Sequence, residues 1–204
     1  MSSARQEIIK KLRKVTLTEP DKPDFNAPVY HSIDRPLEEA FKQKLEEVNG
    51  SVHLFESEEI LFDTLKQFLS RFDNKQICCS ETDLQKTLNS FDISYLNCTE
   101  FPKHIEAGIT GCEFLIAHTG SVMVSSAQKG GRQMFVYPPV HLVIAKKIQL
   151  VAFLEDAYSE IMEKYRDNLP SQITLITGPS RTADIEKTLI LGAHGPRELH
   201  VFIA

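Results

Sequence analysis

An α/β fold is predicted by three features of the chain. Strand-like and helix-like segments alternate between residues 51 and 96, several later apolar runs are continuous, and a basic amphipathic stretch precedes a proline-rich linker. The alternation predicts crossover connections and a mainly parallel open sheet. Continuous apolar runs predict a sheet covered on both faces, and therefore a three-layer α/β/α sandwich. The amphipathic stretch adds an N-terminal helical arm, which divides the chain into an arm and linker over 1–33 and an α/β domain over 34–204.

Within the arm, Ile8, Ile9, Leu12 and Val15 recur at helical spacing, so residues 1 to 16 read as a helix that docks or binds a partner. Pro20, Pro23 and Pro28 then break the periodicity. Leu37, Ala40, Phe41, Leu45 and Val48 form the apolar stripe of a second helix, from Pro36 to Val48, which Asn49-Gly50 terminates. This helix is suited to a subunit contact or a lid.

The domain body opens with a strand from Ser51 to Phe55. A helix follows, capped by Ser57 and carrying Ile60, Leu61, Leu65, Phe68 and Leu69. Gln76 to Cys79 reads as a short strand, Ser80-Glu81-Thr82-Asp83 as a capping box opening a helix to Leu88, and Ile93 to Leu96 as a further strand. Next come strand segments at Glu113–Ala117, Val122–Val124, Met134–Tyr137 and Val140–Ala145, with the Gln128 to Arg132 glycine turn among them. A helix from Ala152 to Asn168 is followed by a strand at Ile173–Thr177, a turn, a helix after Gly178, and a last strand from Leu199 to Ile203.

With 23 Lys and Arg against 28 Asp and Glu, the formal net charge is −5, which argues against nucleic-acid or anionic-membrane binding. No stretch approaches the ~20 apolar residues of a membrane span, and no secretory leader pattern opens the chain, so a cytoplasmic protein is expected. Cys78, Cys79, Cys98 and Cys112 lack metal-ligand spacing and read as buried apolar residues in a reducing compartment. The histidines show no H-E-x-x-H spacing, so no metal site is expected.

The densest chemical signal is the turn Gly178-Pro179-Ser180-Arg181-Thr182, which carries a glycine, two hydroxyls and a guanidinium after an apolar strand and continues to Asp184. At a helix N-terminus such a turn favours an anion, since unpaired N–H groups and the positive dipole end point outward. The same residues also suit an ordinary capped connection. It is neither a Walker loop nor a Rossmann fingerprint, and no G-x-S-x-G elbow activates Ser121 or Ser180. Strand carboxyl ends gather ligands in open α/β sheets, so Thr119, Gly120 and Ser121 are expected to share one cleft with this turn. His194, between glycines, is a further ligand candidate, and His118 and His141 are acid–base candidates.

Thr177–Glu186, Leu191–Val201, Gly108–Glu113, Ala117–Ser121 and Tyr137–Val143 together resemble the lactate-utilization protein C family, the LUD domain. The resemblance covers about residues 34 to 204. It implies a NagB/RpiA/CoA-transferase-like fold and a role in oxidising L-lactate to pyruvate beside a cysteine-rich subunit and an iron–sulfur subunit. Under it, this chain binds no cofactor, the iron–sulfur clusters reside on partner subunits, and the chain is an accessory subunit that holds a small anionic ligand. One departure stands out: His118 occupies a place where many relatives of the family carry an acidic residue before Thr-Gly.

Two other function classes accompany that expectation. One is a stand-alone enzyme of the CoA-transferase or cyclo-ligase type, acting on a phosphorylated or carboxylated metabolite. The other is a dimerisation module working as a homodimer through its N-terminal amphipathic helix.

Overall fold

In the computed structural model, residues 4–14, 21–24, 27, 30–98, 104–183, 189–192 and 194–204 are described. The chain divides into two compact units, Met1–Ser32 and Ile33–Ala204. The first contains helix α1 (Ala4–Leu12), whose Ile8, Ile9 and Leu12 are exposed.

The second unit begins with α2 (Leu37–Glu46), whose Ala40, Phe41 and Leu45 are buried at helical spacing. The helix ends where Asn49 takes a left-handed φ of 66° and Gly50 N–H donates to the Leu45 carbonyl at 2.9 Å. Strand β1 (Ser51–Leu54) leads to α3 (Glu58–Leu69), capped by the Ser57 hydroxyl accepting from Ile60 N–H. Leu61, Phe62, Leu65 and Leu69 form its buried face, while Ile60, expected in that stripe, stands half exposed. Next come β2 (Ile77–Cys79), α4 (Thr82–Ser90), β3 (Ala107–Thr110), β4 (Phe114–Ile116), β5 (Ser121–Ser125), the short α5 (Gly131–Met134) and β6 (Val140–Ala145). The chain closes with β7 (Leu150–Val151), α6 (Leu154–Lys164), β8 (Ile173–Ile176), β9 (Arg181–Ala183), β10 (Leu189–Leu191) and β11 (Glu198–Ile203).

Five strands form an all-parallel sheet in the order β1-β11-β6-β3-β2. One face packs α3 and α4 through Leu61, Leu65 and Leu88 against Ile77, Ile109, Leu142 and Phe202. The other face packs Val143, Val201 and Ile203 against α2 and a second sheet, ordered β7-β4-β5-β8. Helix α6 covers the far side of this second sheet, with Ala157 and Ile161 against Ile116 and Met123. The expected α/β/α sandwich with its mainly parallel sheet is therefore present, with a small mixed sheet built into the layer that carries α2.

Several local expectations are corrected. Arg181–Ala183 pairs antiparallel with Leu189–Leu191, so the turn after Gly178 enters a strand and not a helix; the apolar triplet Leu-Ile-Leu satisfies either period, and pairing decides it. Asp184 lies outside the described residues. Met134 ends α5, and Phe135 to Tyr137 form a turn, because Pro138 and Pro139 cannot donate to a ladder. The capping box at Ser80 does not form: its hydroxyl donates to the Cys98 carbonyl at 3.0 Å, and Glu81 occupies the N-cap without a side-chain bond to the first turn of α4. Ile93–Leu96 reduces to a single bridge between Leu96 and Cys78. All four cysteines are buried, yet Cys78 and Cys98 are joined in a disulfide, with Cα atoms 5.7 Å apart, instead of standing as separate thiols. No described helix is long and apolar enough to cross a membrane.

Gly120 lies close against α2: its φ of +64° is in the left-handed region, and a Cβ there would stand 2.4 Å from the Leu45 nitrogen and 2.6 Å from the Lys44 carbonyl carbon. Gly120→Ala therefore combines backbone strain with a clash against α2 backbone and is expected to cost about 2–4 kcal/mol. A thermal melt should show a drop of roughly 5 °C or more; a melting point unchanged within error would mean that the α2 contact is not this close.

Candidate functional site

The turn carrying His118, Thr119 and Gly120 joins β4 to β5, and β5 runs antiparallel to β8, so the end of β8 returns beside Ser121. A chain of hydroxyls results: Thr119 Oγ1 lies 2.7 Å from Ser121 Oγ, which lies 2.7 Å from Thr177 Oγ1. Both flanking glycines press on the last turn of α2. A Cβ on Gly120 would stand 2.6 Å from the Lys44 carbonyl carbon, and one on Gly178 would stand 2.7 Å from the carbonyl oxygen of Val48, two residues past the end of α2. What abuts these segments is thus the carbonyl end of a helix, whose partial charge is negative. His118 packs its ring near Phe153, with centroids 5.4 Å apart, and its backbone N–H donates to the Ala152 carbonyl.

Beyond Gly178 the chain turns away from this place. Pro179 is buried, Ser180 N–H donates to the Pro196 carbonyl at 2.8 Å, and the Ser180 carbonyl accepts from Gly192 N–H at 2.9 Å. Arg181 is exposed at the start of β9, and Thr182 pairs with Ile190. The helix N-terminus invoked for anion binding is therefore replaced by the base of a two-stranded ribbon.

That base borders a pocket. Arg197 N–H and Glu198 N–H both donate to the Pro139 carbonyl, at 2.7 and 3.2 Å, which fastens the segment before β11 to the turn before β6. Between them lies a cavity of about 350 Å³ lined by Tyr137, Pro139, Gly192, His194, Gly195 and Arg197. The aliphatic stem of Arg197 lies over Gly192, where any side chain would collide with it. Tyr137, His194 and Arg197 are exposed. The lining therefore brings an arginine, a histidine and a tyrosine to one place, residue types able to hold a carboxylate or phosphate by a planar fork with flanking hydrogen bonds. It opens at the amino ends of β6 and β11, not at the carboxyl ends where the sequence placed a cleft. Arg197 was not singled out from the sequence, because its link to Pro139 spans 58 positions of chain and only the fold shows it.

His141, two residues past Pro139, is fully buried on the inner face of β6. Its Nε2 lies 2.8 Å from Thr110 Oγ1, while Nδ1 has no partner. Assigning the proton to Nε2, donating to Thr110, leaves an unpaired lone pair at Nδ1, a smaller penalty than an unpaired N–H. Burial pushes this imidazole down to about 4, so it is neutral near pH 7. His200, by contrast, sits under α3, its ring 4.7 Å from that of Phe68. No group of three or more His, Cys, Asp or Glu able to hold a metal occurs among the described residues.

The LUD domain family model matches residues 91–204, more than half of the chain. An uncharacterized protein of Neisseria meningitidis serogroup B is 40% identical over 102 residues, covering 50% of this chain and 43% of that protein. Lactate utilization protein C of Bacillus licheniformis is 36% identical over 91 residues, covering 44% and 38%. The matched part thus spans less than half the length of these two relatives. With Lactate utilization protein C of Anoxybacillus flavithermus the match is 27% over 213 residues and covers 96% of this chain and 95% of the other. The crystal structure of a DUF162 family protein from Deinococcus radiodurans superposes with a TM-score of 0.61 at 18% identity, covering 82% of this chain and 95% of that one, a likeness of fold.

The buried imidazole links stability to pH. The unfolded histidine takes up its proton near 6.5 and the folded one near 4, so the unfolded state binds protons first on acidification. Its contribution is complete above about pH 6.5 and is lost as pH falls towards 4, about 3 kcal/mol in all. Denaturant titrations across this window should show His141→Gln flattening the acid slope relative to the unsubstituted chain; parallel slopes would contradict a neutral buried His141.

Proposed function

The chain belongs to the LUD domain family, and on that footing we propose that it is a cytoplasmic accessory subunit of L-lactate utilization. In this role it assembles with cysteine-rich and iron–sulfur subunits, which carry the redox clusters, and holds a small anionic ligand at the Arg197 pocket. Support for the pathway comes from the near end-to-end match to a lactate utilization protein C. The observation that carries the ligand is the convergence of Tyr137, His194 and Arg197 on one cavity, built from segments joined through the Pro139 carbonyl. A monocarboxylate of the substrate or product class fits: its two oxygens suit the guanidinium fork, and a 2-hydroxyl or 2-oxo group suits the imidazole or phenol. The stand-alone CoA-transferase or cyclo-ligase alternative loses its main support, since the helix N-terminus it relied on is strand β9.

Two measurements check this. Expressed with its genomic neighbours, the tagged chain should co-purify with an iron-containing, cysteine-rich subunit; repeated recovery of the chain alone would count against the accessory role. In a thermal-shift assay, L-lactate or pyruvate at about 100 times its Kd should raise the melting temperature by roughly 5 °C or more. Arg197→Ala should abolish that shift while leaving the melting point without additive nearly unchanged, because the side chain is exposed. A shift that survives the substitution would place the ligand elsewhere.

A further inference from the structure

The carboxyl ends of the parallel strands form a second concavity, at the end of the sheet opposite the Arg197 pocket. Just beyond β2, β3, β6 and β11 lie Glu81, Gly111, Lys146 and Ala204, and these line a cavity of about 360 Å³. This is where open α/β sheets receive ligands, because the loops leaving successive strands diverge there. Its walls include Leu61, Phe62, Leu84 and Ile144, so the cavity has an apolar body.

Glu81 supplies its polar focus. Oε1 accepts from Gly111 N–H at 2.8 Å and lies 3.4 Å from the Gln128 side-chain amide. Oε2 accepts no hydrogen bond among the described residues, and the absence of a side chain at Gly111, whose Cβ would stand 3.0 Å away, keeps it open. Burial, reinforced by the nearby Glu113, holds the Glu81 carboxyl above the usual carboxylate range. The remaining charged side chains on the lining are Glu58, Asp83 and Lys146; Lys146 lies 3.1 Å from Glu58, and Asp83 is paired with Lys86 at 2.7 Å. The two rim carboxylates thus each have a lysine, whereas the half-buried Glu81 faces the cavity without a cation and with one oxygen that accepts no hydrogen bond among the described residues.

We propose that this cleft binds a small molecule with an aromatic or branched apolar body and an amidinium or ammonium head, the head pairing with Glu81 Oε2. Leu61, Phe62, Leu84 and Ile144 enclose the body, and the Glu81 carboxyl, which has no lysine or arginine partner of its own, favours the cation over a neutral or anionic analogue. The site is separate from the Arg197 pocket in place and in charge preference, so it stands or falls independently of the lactate reading.

Benzamidine tests the assignment on the full chain, with neutral benzamide of the same shape as control. Calorimetry should show saturable benzamidine binding, weaker by about tenfold or more for benzamide, since the charged pair is lost. Glu81→Gln should erase that discrimination. Amide shifts on benzamidine titration should centre on Gly111 and Leu84. Absence of saturable benzamidine binding up to about 10 mM, equal affinity for benzamide, or shifts centred on Gly192 and Arg197 would each overturn the proposal. The two-ligand comparison on the unsubstituted chain needs no variant and decides the matter even if Glu81→Gln folds poorly.

Discussion

Burial of the parallel sheet on both faces is the constraint from which the rest follows. Strand β6 lies between β3 and β11, and Val140–Val143 and Ala145 are buried. Backbone groups there find partners only in the ladder, and side chains only in the two layers above and below. Both faces must therefore be covered, one by α3 and α4 and the other by α2 with the small sheet. A polar side chain admitted to such a strand has to be neutral and bonded, which is the state of His141 beside Thr110. Closed faces leave the two ends of the sheet as the places where loops converge, and both cavities discussed above lie at those ends.

The two ends differ in charge for local reasons. At the amino end, the turn at Pro138-Pro139 offers a free carbonyl, and the two N–H groups at Arg197 and Glu198 close on it. That pins the arginine at the mouth of the pocket with His194 and Tyr137 nearby. At the carboxyl end, the N-terminal turns of α3 and α4 bring Glu58, Glu81 and Asp83, residue types favoured beside a helix N-terminus. Helix-terminal preference thus places carboxylates at one end, of which Glu81 has no lysine, while Arg197 on the return before β11 places a cation at the other.

Much of this was legible in the sequence. The stripe of α2, the Ser57 cap, the continuous run of β6 and the last strand all follow from periodicity and capping, which are local. Strand β3 was missed as an element, because Ala107–Thr110 is four residues of mixed character whose burial comes only from its neighbours. The ribbon of β9 and β10 and the turn at Phe135 were misread, since strand pairing and the interruption at Pro138 are decided by segments distant in sequence. Among site residues, the hydroxyls of Thr119, Ser121 and Thr177 do come together, but against the carbonyl end of α2. Arg197 and Glu81 gain their significance only from contacts with Pro139 and Gly111, which no local motif encodes.

We propose that the amino end of the parallel sheet holds a carboxylate through Arg197. A backbone-amide NMR titration with pyruvate tests it most directly. Saturating shifts that share one binding curve are expected at Tyr137, Gly192, Gly195 and Arg197. Shifts that instead centre on Thr119, Ser121 and Gly178, or no saturating shift at all, would contradict it.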